Sequence, residues 1–158
     1  MFRELTRKNR EISRNECVEV LTEQTRGVLA VNGDDGYPYA MPMNHYYNAD
    51  DGCLYFHCGR SGHRIDSLRA SDKVSFCVCE RGFRKEGEWA YNVRSVIVFG
   101  QVEIIDDMDK ITEIAAQLSR KFTDDEEYIK REIELHGPST LLLKLVPAHV
   151  CGKLVKEE

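Results

Sequence analysis

The spacing of apolar and polar residues divides the chain into short strands joined by turns, with helical periodicity confined to a few connections. Lys73-Val74-Ser75-Phe76-Cys77-Val78-Cys79 alternates with a period of two. Val74, Phe76 and Val78 therefore share one face, and Ser75, Cys77 and Cys79 the other. Gly27 to Val31, Tyr37 to Tyr47 and Cys53 to His57 read as three further strands. Asn32-Gly33-Asp34-Asp35-Gly36 and Asn48-Ala49-Asp50-Asp51-Gly52 separate them and have turn composition. Arg94 to Ile105 is a long strand with the apolar centre Val96-Ile97-Val98-Phe99, and Leu141 to Val146 and Val150 to Val155 close the chain as strands.

Helices are predicted at the connections. Ser13-Arg14-Asn15-Glu16 has the form of a capping box, and the helix it starts runs to about Gln24, burying Cys17, Val20 and Leu21. Ile65, Leu68 and Arg69 predict a short helix from Gly62 to Ala70. Asp106 or Asp107 caps a helix containing Ile111, Ile114, Ala115 and Leu118, and another runs from Asp124 to Leu135 until His136-Gly137-Pro138 ends it. About seven strands with few helices predict a mainly β fold: a closed or nearly closed antiparallel barrel with peripheral helices. No linker or repeat interrupts the 158 residues, so a single domain over 1–158 is expected.

Composition narrows the function. Hydrophobic residues make up 42% and charged residues 31%, as in a globular protein, and the net charge of −5 argues against a general nucleic-acid binder. No apolar run approaches the roughly 18–20 residues that span a bilayer. The charged start Met1-Phe2-Arg3-Glu4-Leu5-Thr6-Arg7-Lys8 lacks a secretory core, which predicts a cytoplasmic protein with free thiols. Cys53, Cys77 and Cys79 are expected as small buried apolar residues.

The richest candidate for chemistry is His57-Cys58-Gly59-Arg60-Ser61-Gly62-His63-Arg64, which follows a strand and opens a helix. The first N–H groups of a helix lack internal partners and carry the positive end of its dipole, so they suit a phosphate. Gly59 and Gly62 let the backbone approach an anion, Arg60 and Arg64 add charge, and His63 can donate. A basic surface loop with a glycine turn is the plain alternative. Cys53, His57, Cys58 and His63 are possible zinc ligands, but their spacing matches no paired-ligand pattern. Tyr39-Ala40-Met41-Pro42-Met43-Asn44-His45-Tyr46-Tyr47 is the second candidate. Pro42 cannot donate to a ladder, which makes this an edge or an interrupted strand. Its free backbone groups could read the rim of a flat ring; an amphipathic strand with surface tyrosines is the alternative. Arg94-Ser95-Val96-Ile97-Val98-Phe99-Gly100 is the third. No sequence marks a nucleophile, the Asp-Asp pairs sit in turns, and no Gly-x-Gly-x-x-Gly occurs.

Three stretches together resemble the FMN-binding split barrel of the pyridoxamine 5′-phosphate oxidase superfamily, and most nearly its nitroimidazole-resistance branch. They are Tyr37-Pro38-Tyr39 with Pro42 to Tyr47, Leu54 to Cys58 with Gly62-His63-Arg64-Ile65-Asp66, and Ser95 to Gly100. The resemblance spans roughly residues 5 to 155 and implies a homodimer with FMN at the subunit interface. It implies that Met41, Pro42, Met43, Asn44, His45 and Tyr46 lie along the flavin ring, largely through backbone. His57 would lie near the ribityl chain or phosphate, Gly62, His63 and Arg64 on the phosphate, and Ser95 and Val96 against the flavin from a neighbouring strand. Met41 and Tyr46 stand where the oxidases carry Arg and Lys, and a C-terminal Trp-x-Arg is absent near Leu154.

The implied activity is NAD(P)H-dependent reduction of a small nitroaromatic or quinone-like substrate, with no catalytic side chain assigned because the flavin carries the electrons. The alternative is a flavin or haem carrier or sensor on the same barrel.

Overall fold

The computed structural model describes residues 1–157. Eight strands form one antiparallel sheet: β1 (Arg26–Asn32), β2 (Pro38–Asn44), β3 (Tyr46–Asn48), β4 (Cys53–Gly59), β5 (Lys73–Cys79), β6 (Phe83–Arg84), β7 (Tyr91–Ile105) and β8 (Thr140–Glu157). Helices α1 (Arg14–Glu23), α2 (His63–Ala70), α3 (Met108–Ser119) and α4 (Glu126–His136) decorate it. The strand order is β2-β1-β5-β7-β8-β4-β3, with β6 added to β7. The two edges of this ladder, β2 and β3, are consecutive in sequence and separated only by His45. A sheet whose first and last strands are joined by one residue has to curl until its edges meet. The result is a split barrel.

Sequence periodicity accounts for most of this. In β5 the buried and open positions alternate as expected from Lys73 to Cys79. Ser13 accepts from the Glu16 N–H at 3.2 Å, and the Glu16 carboxylate accepts from the Ser13 N–H at 2.8 Å, so the capping box starts α1, which buries Cys17, Val20 and Leu21. Two strand boundaries differ from expectation. The stretch from Tyr37 to Tyr47 is two strands at opposite sheet edges, because the chain crosses the seam at His45. The C-terminal pair is one strand of 18 residues, bent where Ala148 falls outside the ladder as β7 steps from Phe99 to Gly100.

The core lies inside the barrel, where Leu29, Leu54, Phe56, Phe76, Val96, Val98, Leu143 and Leu145 are fully buried. A smaller cluster of Cys53, Tyr55, Ile111, Ile114 and Leu142 lies between the outside of β4 and β8 and helix α3. Strand β4 therefore buries both faces from Cys53 to Phe56. Cys77 and Cys79, expected inside, are exposed on the outer face of β5, because Phe76 and Val78 take the inner positions. Among the described residues no helix is long and apolar enough to cross a membrane.

Gly100 packs at the bend of β7 against β8, where an added methyl would run into the Val146 carbonyl. Gly100→Ala should lower the unfolding free energy by about 1–3 kcal/mol, read as a lower urea midpoint with an unchanged m-value.

Candidate functional site

The seam leaves two strand edges unpaired. β2 pairs only with β1 along its whole length, while β3 covers β4 only from Cys53 to Tyr55. Pro38–Asn44 and the end of β4 after Tyr55 therefore face each other across an open split. Arg26, Pro42, Met43, Asn44 and His57 line a hollow of about 290 Å³ near the crossing point. Tyr39, Cys58, Gly59, Ser61, Gly62, His63, Arg64 and Ile65 line a second of about 210 Å³. From Tyr39 to Asn44 the strand advances five residues, about 17 Å at roughly 3.3 Å each.

The second hollow opens on the N-terminus of α2. Gly62 caps this helix without a side chain, at φ +112°, with no atom placed to crowd it. The first intrahelical bond runs from the Asp66 N–H to the Gly62 carbonyl at 3.1 Å. The N–H groups of His63, Arg64 and Ile65 therefore have no helical acceptor and point outward. Arg64 donates from Nε to the Met41 sulfur and is paired with no carboxylate among the described residues. It opposes the upward push of burial on the Cys58 thiol. The His63 ring stacks on Tyr39 with centroids 4.2 Å apart, and its Nε2 lies 3.4 Å from Asp34 Oδ2. Arg60 turns the other way. It pairs with Asp106 and donates to the carbonyls of Pro138 and Thr140 at 3.5 and 3.3 Å. Arg64 and the helix N–H groups thus remain as the donors of this hollow without an acidic partner.

At the other end, Arg26 Nε donates to Asn44 Oδ1 at 2.9 Å, which leaves the Asn44 amide N–H groups and the rest of the guanidinium toward the split. Pro42 is exposed and Asn44 half-buried, whereas Met41, Met43 and His45 turn into the core. Tyr46 packs against the cluster of Cys53, Tyr55 and Ile111. From Met41 to Tyr46, then, Pro42 and Asn44 offer open side chains to the split and Met41 gives its sulfur to Arg64; the others offer backbone. His57 has an open edge, yet the protein around it and the Arg64 charge hold its pKa below the usual histidine range. Val96 is fully buried in the core, and Ser95 lies on the outer face of β7 beside Cys79 and Lys153.

Sequence reasoning missed Arg26 and Lys121. Lys121 donates from Nζ to the carbonyls of Gln24 at 2.6 Å and His45 at 3.0 Å, so it ties the end of α1 to the seam. Burial lowers its pKa to about 8. His45 is fully buried, and its Nε2–H donates to the Leu21 carbonyl at 2.7 Å, while Nδ1 has no partner. Burial, then the Lys121 charge, lowers its pKa to about 4, so the ring is neutral. Only long-range packing marks either group; Lys121 reads locally as a basic residue just after a helix. Among the described residues no three His, Cys, Asp or Glu side chains converge as a metal site would require. Cys53 and Cys58 lie on opposite faces of β4.

A curled antiparallel sheet with an open seam and a helix N-terminus set into it defines the split-barrel class. The chain belongs to the pyridoxamine 5′-phosphate oxidase family, whose model matches residues 13–154. Solved structures agree on the fold. A Bacteroides thetaiotaomicron protein provisionally assigned to 5-nitroimidazole antibiotic resistance has a TM-score of 0.74 at 21% identity, covering 92% of this chain and 87% of that one. A FAD-binding protein from Mesorhizobium loti scores 0.65 at 25% identity, with 92% and 97% covered. A FAD- and haem-binding protein from Mycobacterium smegmatis scores 0.67 at 22% identity, with 90% and 71% covered. No protein of curated function matches the sequence.

His45 makes the stability of the fold pH-dependent. Its pKa falls from an ordinary 6.5 to about 4 on folding. Between those values the unfolded chain binds more protons, so stability drops as the pH falls from 6.5 toward 4, by up to roughly 3 kcal/mol. Urea midpoints measured across this window should fall in the parent chain, and His45→Gln should lose most of that slope.

Proposed function

We propose that this chain is an FMN-binding oxidoreductase that uses NAD(P)H to reduce a small aromatic acceptor, nitroaromatic or quinone-like, with the flavin lying along the split between β2 and β4. The observation that carries this reading is the pair of hollows. One offers unpaired helix N–H groups and Arg64 to an anion. The other, about 17 Å along the same strand at roughly 3.3 Å per residue, offers Asn44 and Arg26 to a polar ring edge.

The residues fit a flavin as follows. Gly62, His63 and Arg64 hold the phosphate through backbone N–H groups and the guanidinium. The open space around Gly62 admits the anion at the closest approach a backbone allows. A hollow of about 210 Å³ there suits a terminal phosphate, which favours FMN over the FAD named for two of the similar structures. His57 shares the hollow of Asn44 and Arg26 and lies where the ring meets the ribityl chain. Backbone groups of Met41, Pro42, Met43, His45 and Tyr46 line the ring, and Asn44 reads its pyrimidine edge with Arg26 behind it. The Arg26 charge at that edge stabilises negative charge on the ring. When bound, the flavin supplies two-electron transfer between a nicotinamide donor and the acceptor. The chain supplies position and field, and no side chain is assigned as acid or base.

The site is completed by a second copy of the chain. Val28, Cys77, Ile97 and Cys151 are successive neighbours across β1, β5, β7 and β8 on the outer face of the sheet. Val28 is 43% exposed. Ser95 lies on this same face and would reach the flavin of the partner, with Val96 contributing backbone. The similar FAD- and haem-binding protein from Mycobacterium smegmatis supports a second reading, a flavin or haem carrier, in which His57 is the groove histidine with an open edge.

The absorption spectrum of the purified chain separates these readings: flavin bands in the blue and near-ultraviolet support the first, and an intense Soret band the second. Arg64→Ala should weaken FMN binding by about 10- to 150-fold, the loss of one charge-assisted hydrogen bond, whereas Arg60→Ala should leave it unchanged. Fluorescence titration checks both, and equal affinities in all three proteins would remove the phosphate assignment. In sedimentation equilibrium the parent chain should be a dimer and Ile97→Glu a monomer.

A further inference from the structure

A cavity of about 320 Å³ lies between α3, α4 and the outer face of β4. His57 forms part of its wall and also lines the ring end of the split, so the cavity adjoins the place where the flavin ring is proposed to lie. Its walls are apolar, from Ile111, Ala115, Ile129 and Ile133. Its polar lining is His57, Ser119, Tyr128, Glu132, His136 and Thr140. Tyr128, Glu132 and His136 recur every four residues along α4 and so stand on one face of that helix. Glu132 and His136 approach each other at 3.5 Å.

The charge inventory decides what can bind. Among the described residues lining this cavity there is no lysine and no arginine. Arg60 donates to the Pro138 and Thr140 carbonyls at its edge, but Asp106 neutralises it. The imidazole of His57 is held below its usual pKa and is neutral at pH 7. The remaining formal charge is the Glu132 carboxylate, with His136 beside it. An anionic ligand entering here would lose its hydration, gain no counter-ion and face a carboxylate. The family is named for a phosphorylated substrate, and this chain offers that phosphate nothing to pair with here. A neutral flat ring meets the opposite conditions: isoleucine walls for its faces and hydroxyl or imidazole groups for one polar substituent. The volume sits at the small end of ligand cavities, which run from about 300 to 1,000 Å³, so one or two fused rings fill it.

We propose that this cavity is the site of the second substrate, and that it selects neutral mono- or bicyclic aromatic molecules and rejects phosphorylated and carboxylated ones. The assignment of a second substrate rests on the flavin reading above; the selectivity for neutral rings does not.

The test compares 4-nitrobenzyl alcohol with 4-nitrobenzoate and pyridoxamine 5′-phosphate, by calorimetric or NMR titration of the full chain with and without saturating FMN. The alcohol should bind at least about tenfold more tightly than either anion, a modest fraction of the cost of desolvating an unpaired charge. Ala115→Phe fills the cavity and should abolish binding of the alcohol while FMN affinity stays at the parental value. Glu132→Lys, a change on the outer helix that leaves the core intact, should invert the preference so that nitrobenzoate binds at least as well as the alcohol. The proposal is overturned if an anion binds the parent chain as tightly as the alcohol, if no ring binds, or if neither variant alters ring binding. Ring binding in a chain that takes up no FMN would leave the cavity's selectivity standing and sink the flavin reading alone.

Discussion

The structure depends on how the chain passes from one edge of its sheet to the other through a single residue. β2 and β3 follow each other directly, yet they sit at opposite ends of the ladder. The sheet can satisfy both positions only by curling, and the curl brings Met41–Asn44 beside the end of β4 without pairing it there, while Tyr46 and Tyr47 pair with the start of β4. His45 at the crossing is held from both ends. Its ring donates to Leu21, its N–H donates to the Thr25 carbonyl at 3.3 Å, and its carbonyl accepts from Lys121. A hydrocarbon side chain would fill the same space but would leave the Leu21 carbonyl without a donor. The seam is thus polar inside an apolar barrel, and two titratable groups are kept there at unusual pKa values because burial outweighs the few bonds they make.

The groove is a by-product of that crossing. Strands that cannot pair leave backbone edges open, and a helix start beside such an edge carries unpaired N–H groups of the kind that suit an anion. Nothing at the site requires a strained side chain or a dedicated insertion. Gly62 opens the helix without a cap, Met41 gives Arg64 a soft partner instead of a carboxylate, and Arg60 is drawn off by Asp106. The free charge in the groove is therefore set by which arginine found an acid and which did not.

Much of this was legible in the residues. The capping box at Ser13, the alternation in β5, the turns rich in Asp and Gly, and the edge character that Pro42 imposes all depend on neighbours within a few positions. The helix start at Gly62 to Arg64 was readable for the same reason. What was not legible depends on which strands meet. The Tyr37–Tyr47 stretch has one continuous pattern, so its division at His45 becomes visible only when β1 takes one half and β4 the other. Cys77 and Cys79 carry no local sign of exposure, because an alternating strand does not say which of its faces is the inner one. Arg26 and Lys121 act at separations of 18 and 76 residues from their partners Asn44 and His45. The fate of Arg60 was invisible for the same reason.

The open seam also sets the mechanics of the molecule. The banks of the split belong to different ladders, β2 to β1 and β4 to β8, and share no backbone hydrogen bond between Pro38–Asn44 and the end of β4. Widening the split therefore shears side-chain contacts such as the Arg64 hold on Met41 and leaves every ladder bond in place. The barrel is stiff around its circumference everywhere except along one line, like a hoop with a single joint. Opening along that joint would leave the rest of the sheet folded.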